Sequence, residues 1–206
     1  MNNKIAAVKS KIMKIINKSS VPEDPIHAKN TLEWLRRLKP DANETLQIAT
    51  LGHDIERAIE ERKVKRKDYQ SYDEFKDAHA LNSAKIMREI MKEHSMSKAM
   101  IKKVFFLVRH HENGGTKLAD VLKNADSISF FQVGLPFYST RHNFKQTKER
   151  CLWGLKRLPE NLQRIVVKFN YRNPKLSSFI KNKIRELDNY NTDSRKRNWV
   201  GISRHP

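Results

Sequence analysis

One cysteine, six glycines and no apolar run of membrane-spanning length set the first limits on this 206-residue chain. A lone Cys151 excludes an internal disulfide and fits a reducing compartment. No stretch approaches the ~20 apolar residues that cross a bilayer. The opening MNNKIAAVKSKIMKIINKS lacks the uninterrupted apolar core and small-residue cleavage site of a secretory signal. A soluble, cytoplasmic protein is therefore expected. Alternating strand patterns and internal repeats are also missing. Acidic residues are scarce, 23 Asp and Glu against 42 Lys and Arg, for a formal net charge of +19. Such a field gathers anions, so phosphorylated small molecules, nucleic acid and acidic lipid all suit it, and it selects none of them.

What is present is helical periodicity. Ile5, Val8, Ile12 and Ile15 make an amphipathic first helix over roughly 3–18, expected to lie on the domain. Pro22 and Pro25 suit the start of a second helix, which carries His27, Thr31, Trp34, Leu35 and Leu38 before Pro40. A third runs from about 42 to 65, with Ile48, Leu51, Gly52, Ile55 and Ile59 on one stripe. After a polar loop over 67–75, helices follow near 77–94, 97–111 and 116–131. Gly114-Gly115 breaks the last two. Three more cover about 142–157, 159–170 and 174–188. The fold expected is all-α, one helical domain over 1–188 with a basic, flexible tail over 189–206 that includes Trp199. Cys151 falls among Leu152, Trp153 and Leu155 and reads as a packing residue, while His94 and His205 read as solvent-exposed.

Metal-binding side chains fall on these core-facing stripes. His27 shares a face with Thr31 and Trp34. On the third helix Asp54 follows Leu51 by three and His53 is its neighbour, while Asp126 follows Leu122 by four on another buried stripe. Burying imidazoles and carboxylates is costly unless something satisfies them, and a metal ion does so. Two nitrogens and two oxygens suit a divalent ion such as Mn, Fe, Co, Ni or Zn.

The order His27, then His53-Asp54, then Asp126 on successive helices resembles the HD-domain superfamily of metal-dependent phosphohydrolases, over roughly residues 23–131. RHHENGG followed by LADVLKNAD is similar to the matching region of the binuclear HD-GYP branch. The resemblance implies an HD helical bundle with extra terminal helices and a pair of ions bridged by Asp54. His27, His53 and Asp126 would hold the first ion, and His79 with His110 or His111 the second. Glu23, four residues before His27, matches a position that supplies a further ligand in some members. No Gly-Tyr-Pro follows His110-His111, and Arg57 stands where that branch commonly has Lys. The resemblance therefore carries phosphoester hydrolysis without cyclic-dinucleotide specificity.

Two-metal chemistry then implies hydroxide formed near neutral pH and in-line attack on phosphorus. Asp54 and Arg57 are the expected catalytic residues, Arg57 lying three residues from Asp54 and four from His53 on one helical face. Lys123, one turn before Asp126, is the second candidate to hold phosphoryl oxygens. Asn113, Arg141 and His142 come from loops expected to border the site. A nucleotide or other phosphorylated small molecule is the expected substrate. Two other classes stay open: a diiron oxygenase of the HD fold, and a basic nucleic-acid-binding or regulatory module with a structural metal site.

Overall fold

The computed structural model describes residues 2–186, and these are helical almost throughout, with no β-strand among them. The helices are α1 (Asn2–Ile16), α2 (Asp24–Leu38), α3 (Glu44–Leu51), α4 (Tyr72–Glu93), α5 (Lys98–Arg109), α6 (Lys117–Ser129), α7 (Leu135–Arg141), α8 (Phe144–Lys156) and α9 (Glu160–Val166). Residues 174–186 are helical as well. No described helix is long and apolar enough to cross a membrane. The tail over 189–206, with Trp199 and His205, lies outside the described residues.

The chain divides into two compact units, Met1–Gly134 and Leu135–Pro206, where the sequence suggested one domain over 1–188. In the first, α4 packs on α5, α2 on α6, and α3 on both α2 and α5. Val8, Ile12 and Ile16 of α1 bury against this group, so that helix joins the core as its periodicity required. Side-chain caps start five of the helices: Asn43 for α3, Ser71 for α4, Ser97 for α5, Thr116 for α6 and Asn143 for α8. After α6 the backbone widens into a π-turn, Phe130–Gly134. It presents Gln132 Oε1 to the Trp34 indole N–H at 2.7 Å and to Asn30 Nδ2 at 3.2 Å, which ties α6 to α2. The second unit builds a smaller core from Leu135, Cys151, Leu155, Val166, Leu176 and Ile180.

The third helix is shorter than its apolar stripe. It ends at Leu51, and the chain continues through 3-10 turns at Ile55–Ala58 and Glu60–Arg62. Gly52 stands at this end, and a Cβ added there would run into the sulfur of Met87 on α4, so a side chain at this position would have to displace Met87. Ile55 stays fully buried, so the hydrophobic spacing survives while the helix does not. His53 and Asp54 therefore sit in a turn, and not on a helix face as their spacing suggested. Gly114 and Gly115 adopt φ of +75° and +100° and make the expected break before α6.

Candidate metal centre

Two of the four histidines of this site lie just beyond helix ends. The last carbonyls of an α-helix have no partner within it. His53, two residues past α3, donates Nδ1–H to the Thr50 carbonyl at 2.8 Å, and His111, two past α5, donates to the Val108 carbonyl at 2.7 Å. A carbonyl only accepts, so each bond places a proton on Nδ1 and turns Nε2 toward the carboxylates, as a donor when protonated and as a metal ligand when not. His27 and His79 are held in the same sense. Ser129 Oγ lies 2.9 Å from His27 Nδ1, and Glu56 Oε1 lies 2.6 Å from His79 Nδ1. All four histidines thus have Nδ1 engaged and are buried.

Their Nε2 atoms face carboxylates. His27 Nε2 is 3.1 Å and His53 Nε2 3.4 Å from Asp126 Oδ1. His79 Nε2 is 2.8 Å and His111 Nε2 3.5 Å from Asp54 Oδ1, and His111 Nε2 is 3.1 Å from Glu112 Oε1. Two donor groups result, each with ligand atoms within 4.8 Å of one another: His27, His53 and Asp126, and Asp54, His79, His111 and Glu112. Asp54 also reaches the first group, 3.6 Å from His53 Nε2 and 4.0 Å from His27 Nε2. His53 Nε2 is wholly buried and makes no hydrogen bond. A buried imidazole lone pair left without a donor is costly in a helical core and natural beside a cation. The residues fit metal ions.

Charge is balanced around Asp54. Burial alone would raise its carboxyl, but the charges of His53 and His79 and hydrogen bonds from His111 and His79 hold it well below the usual carboxylate range. Burial opposes charge on His111 too, yet Glu112 and a hydrogen bond to Asp54 lift it to about 10. Arg57 Nη1 lies 3.3 Å from Asp54 Oδ2 and Nη2 lies 2.8 Å from Asp24 Oδ1. Burial would lower the Arg57 guanidinium, but Asp54 and Asp24, with Glu23 and Glu56 beyond them, raise it above its ordinary value. Glu23 is buried at the N-cap position of α2 and belongs to neither donor group.

Of the residues expected from sequence, His27, His53, Asp54, His79, His111 and Asp126 come together. His110 does not: it caps α5 half-buried, its ring 4.4 Å from Phe106, outside both groups. Burial decides between the pair, because His111 continues the buried Val104–Val108 stripe, whereas Phe106 is 42% exposed. Lys123 is half-buried on α6, 3.6 Å from Asp120, and Asn113 is exposed in the turn after Glu112. Arg141 ends α7 and His142 stacks on Tyr138 at 3.9 Å, both exposed and both in the second unit. His94 is half-buried, not free in solvent; its Nδ1 donates to the Ile90 carbonyl.

Sequence reasoning missed four contributors. Glu112 joins the second donor group and pairs with Lys76. Glu56 anchors His79 and also accepts from the Val64 N–H at 2.8 Å. Asp24 holds Arg57 and accepts from Ser19 Oγ at 2.6 Å. Ser129 anchors His27. The available signal was proximity: Glu56 and Glu112 lie within two residues of a ligand in an acid-poor chain.

A family profile described as a domain of unknown function (DUF4202) matches residues 5–177. The chain belongs to the DUF4202 family. The matched span contains both donor groups of the DUF4202 centre, from His27 to Asp126. No curated protein and no solved structure matches it.

Proposed function

We propose that this DUF4202 protein is a metal-dependent phosphoric ester hydrolase of the HD-domain type, holding two divalent transition-metal ions and cleaving a nucleotide or another phosphoester. The observation that carries this reading is Asp54, whose carboxylate is within reach of both donor groups at once. Mixed imidazole and carboxylate donors suit Fe, Mn, Co, Ni or Zn. When bound, such ions supply Lewis acidity and make a water acidic enough to ionise near neutral pH.

The chain's own residues prepare that chemistry. The Thr50 and Val108 carbonyls, Ser129 and Glu56 fix the four imidazoles, so none must reorient when a ligand arrives. Arg57 keeps Asp54 ionised and aimed, and acts first as a positioning residue. A third of its side chain is exposed, which leaves an edge for a phosphoryl oxygen. Lys76, held on Glu112, places a further cation beside the ligands, whereas Lys123, one turn before Asp126, pairs with Asp120.

The test joins metal analysis of purified protein to a phosphoester panel of nucleoside mono- and triphosphates, cyclic nucleotides and short RNA, with and without Mn, Co or Ni. Two ions per chain and hydrolysis lost in Asp54→Ala are expected. Absence of bound metal under every loading condition would sink the reading. Oxygen consumption by iron-loaded protein without hydrolysis would replace it with an oxygenase.

A further inference from the structure

Charge is unevenly shared between the units. Residues 135–206 carry 17 Lys and Arg against 5 Asp and Glu, net +12, in barely a third of the chain. Within that unit lies a shallow depression of about 450 Å³, lined by Phe144, Lys148, Pro174, Lys175, Ser178 and Phe179. Phe144 is 38% exposed among the described residues. Its centroid lies 6.4 Å from that of Phe179, edge to face, and Lys148 Nζ stands 5.4 Å from the first ring and 6.0 Å from the second. Lys145 and Lys175 are exposed beside them.

We propose that this depression, on α8 and the helix at 174–186, binds a single-stranded polynucleotide. Exposed rings offer faces to unpaired bases, and the lysines between them follow the phosphates. A duplex would hide the bases from these rings, and a lipid headgroup would use the lysines without the edge-to-face pair. The depression does not depend on the metal centre, so failure of either proposal leaves the other standing.

The test is binding of a fluorescein-labelled twelve-residue oligonucleotide, as RNA and as DNA, to the full chain in chelator, across a salt series. Affinity should fall steeply with salt, and the paired change Lys148→Ala, Lys175→Ala should lower the log–log slope by between one and two. Phe144→Ala should weaken single-strand binding on the order of tenfold, and Phe144→Trp should restore it. The RNA and DNA arms decide which sugar the surface prefers. The pair Lys102→Ala, Lys103→Ala, on α5, removes the same charge elsewhere and should change little. Equal losses from both lysine pairs, or indifference to Phe144→Ala, would overturn the proposal in favour of unspecific attraction. Binding to phosphatidylserine vesicles without oligonucleotide binding would overturn it in favour of a membrane surface.

Discussion

The two units use charge in opposite directions. The first holds 18 of the 23 acidic residues and buries five of them, Glu23, Asp24, Glu56, Glu112 and Asp126, around imidazoles, Arg57 and Lys76. In the second, none of the described acids is buried, and the cations face outward along α8 and the helix at 174–186. Inward charge must be matched atom by atom, because an unpaired buried ion costs several kcal/mol. Outward charge is screened and needs no matching. The first arrangement makes a site that is specific in geometry; the second makes a field.

Metal removal should separate them most sharply. An ion that binds only the folded state at a thousand times its Kd adds about 4 kcal/mol of stability. Chelation should therefore lower amide protection in the segments around His27, His53-Asp54, His79, His111 and Asp126 and leave 144–186 unchanged. Hydrogen exchange with and without chelator reads this directly. Loss of protection spread evenly over both units would erase the distinction.

Gly52→Ala comes next. The added Cβ meets the sulfur and Cε of a fully buried Met87 at 2.2 and 2.8 Å, and overpacking of this kind costs about 1–3 kcal/mol. Because Gly52 lies between α3 and the His53-Asp54 turn, metal affinity should fall along with stability. Combined with Met87→Ala, it should cost less than the sum of the two single changes in denaturant unfolding. Strict additivity would mean that Gly52 and Met87 are not coupled through this close approach.

Glu56→Ala probes inside the first unit. His79 would lose the partner of its Nδ1, and changes of this kind weaken metal binding roughly ten- to a hundredfold. Only the ion held by Asp54, His79, His111 and Glu112 should be affected, so titration should show one weakened and one unchanged site. Glu56→Gln, which keeps an acceptor, should recover part of the loss. Equal weakening of both sites would argue against two separable donor groups.

Much of this was legible in sequence, and the failures have physical causes. Helix positions followed from apolar spacing because each helix must bury one stripe. His27, His53, Asp54 and Asp126 were legible because ligand-type side chains fell on those stripes, and His79 only through the resemblance to the HD-domain superfamily. The interruption at Gly52 was not, since Ile48, Leu51 and Ile55 keep helical spacing through it and Met87, which packs against Gly52, lies 35 residues away. Glu56 and Glu112 escaped notice because an acid near a helix end is ordinarily a solvated one, and only their burial shows otherwise. The division at Gly134 was hidden because the sequence offers there only the short Gly134-Leu135-Pro136 segment between the helices expected over 116–131 and 142–157, too slight a break to mark a boundary.

The smallest effect concerns the second unit, where buried acids of another kind lack compensation. Burial pushes the Cys151 thiol up to about 12, with no cation to offset it. Burial and the neighbouring Cys151 charge raise the Tyr171 phenol as well. A raised pKa means that the folded state keeps a proton the unfolded chain gives up. The stability is therefore fully present below the unfolded thiol's pKa, about 9, and drains away as pH rises toward 12. By pH 10 the loss from Cys151 should be about 1–2 kcal/mol. Thermal or denaturant unfolding at pH 8 and pH 10 measures it, and Cys151→Ala should flatten the difference. In the first unit His111, also raised but matched by Glu112 and Asp54, sits in a cluster that could hold metal ions, so protein loaded with metal should show the alkaline loss in the second unit's exchange protection first. An unchanged pH dependence in Cys151→Ala would place the alkaline weakness elsewhere and remove this contrast between matched and unmatched burial.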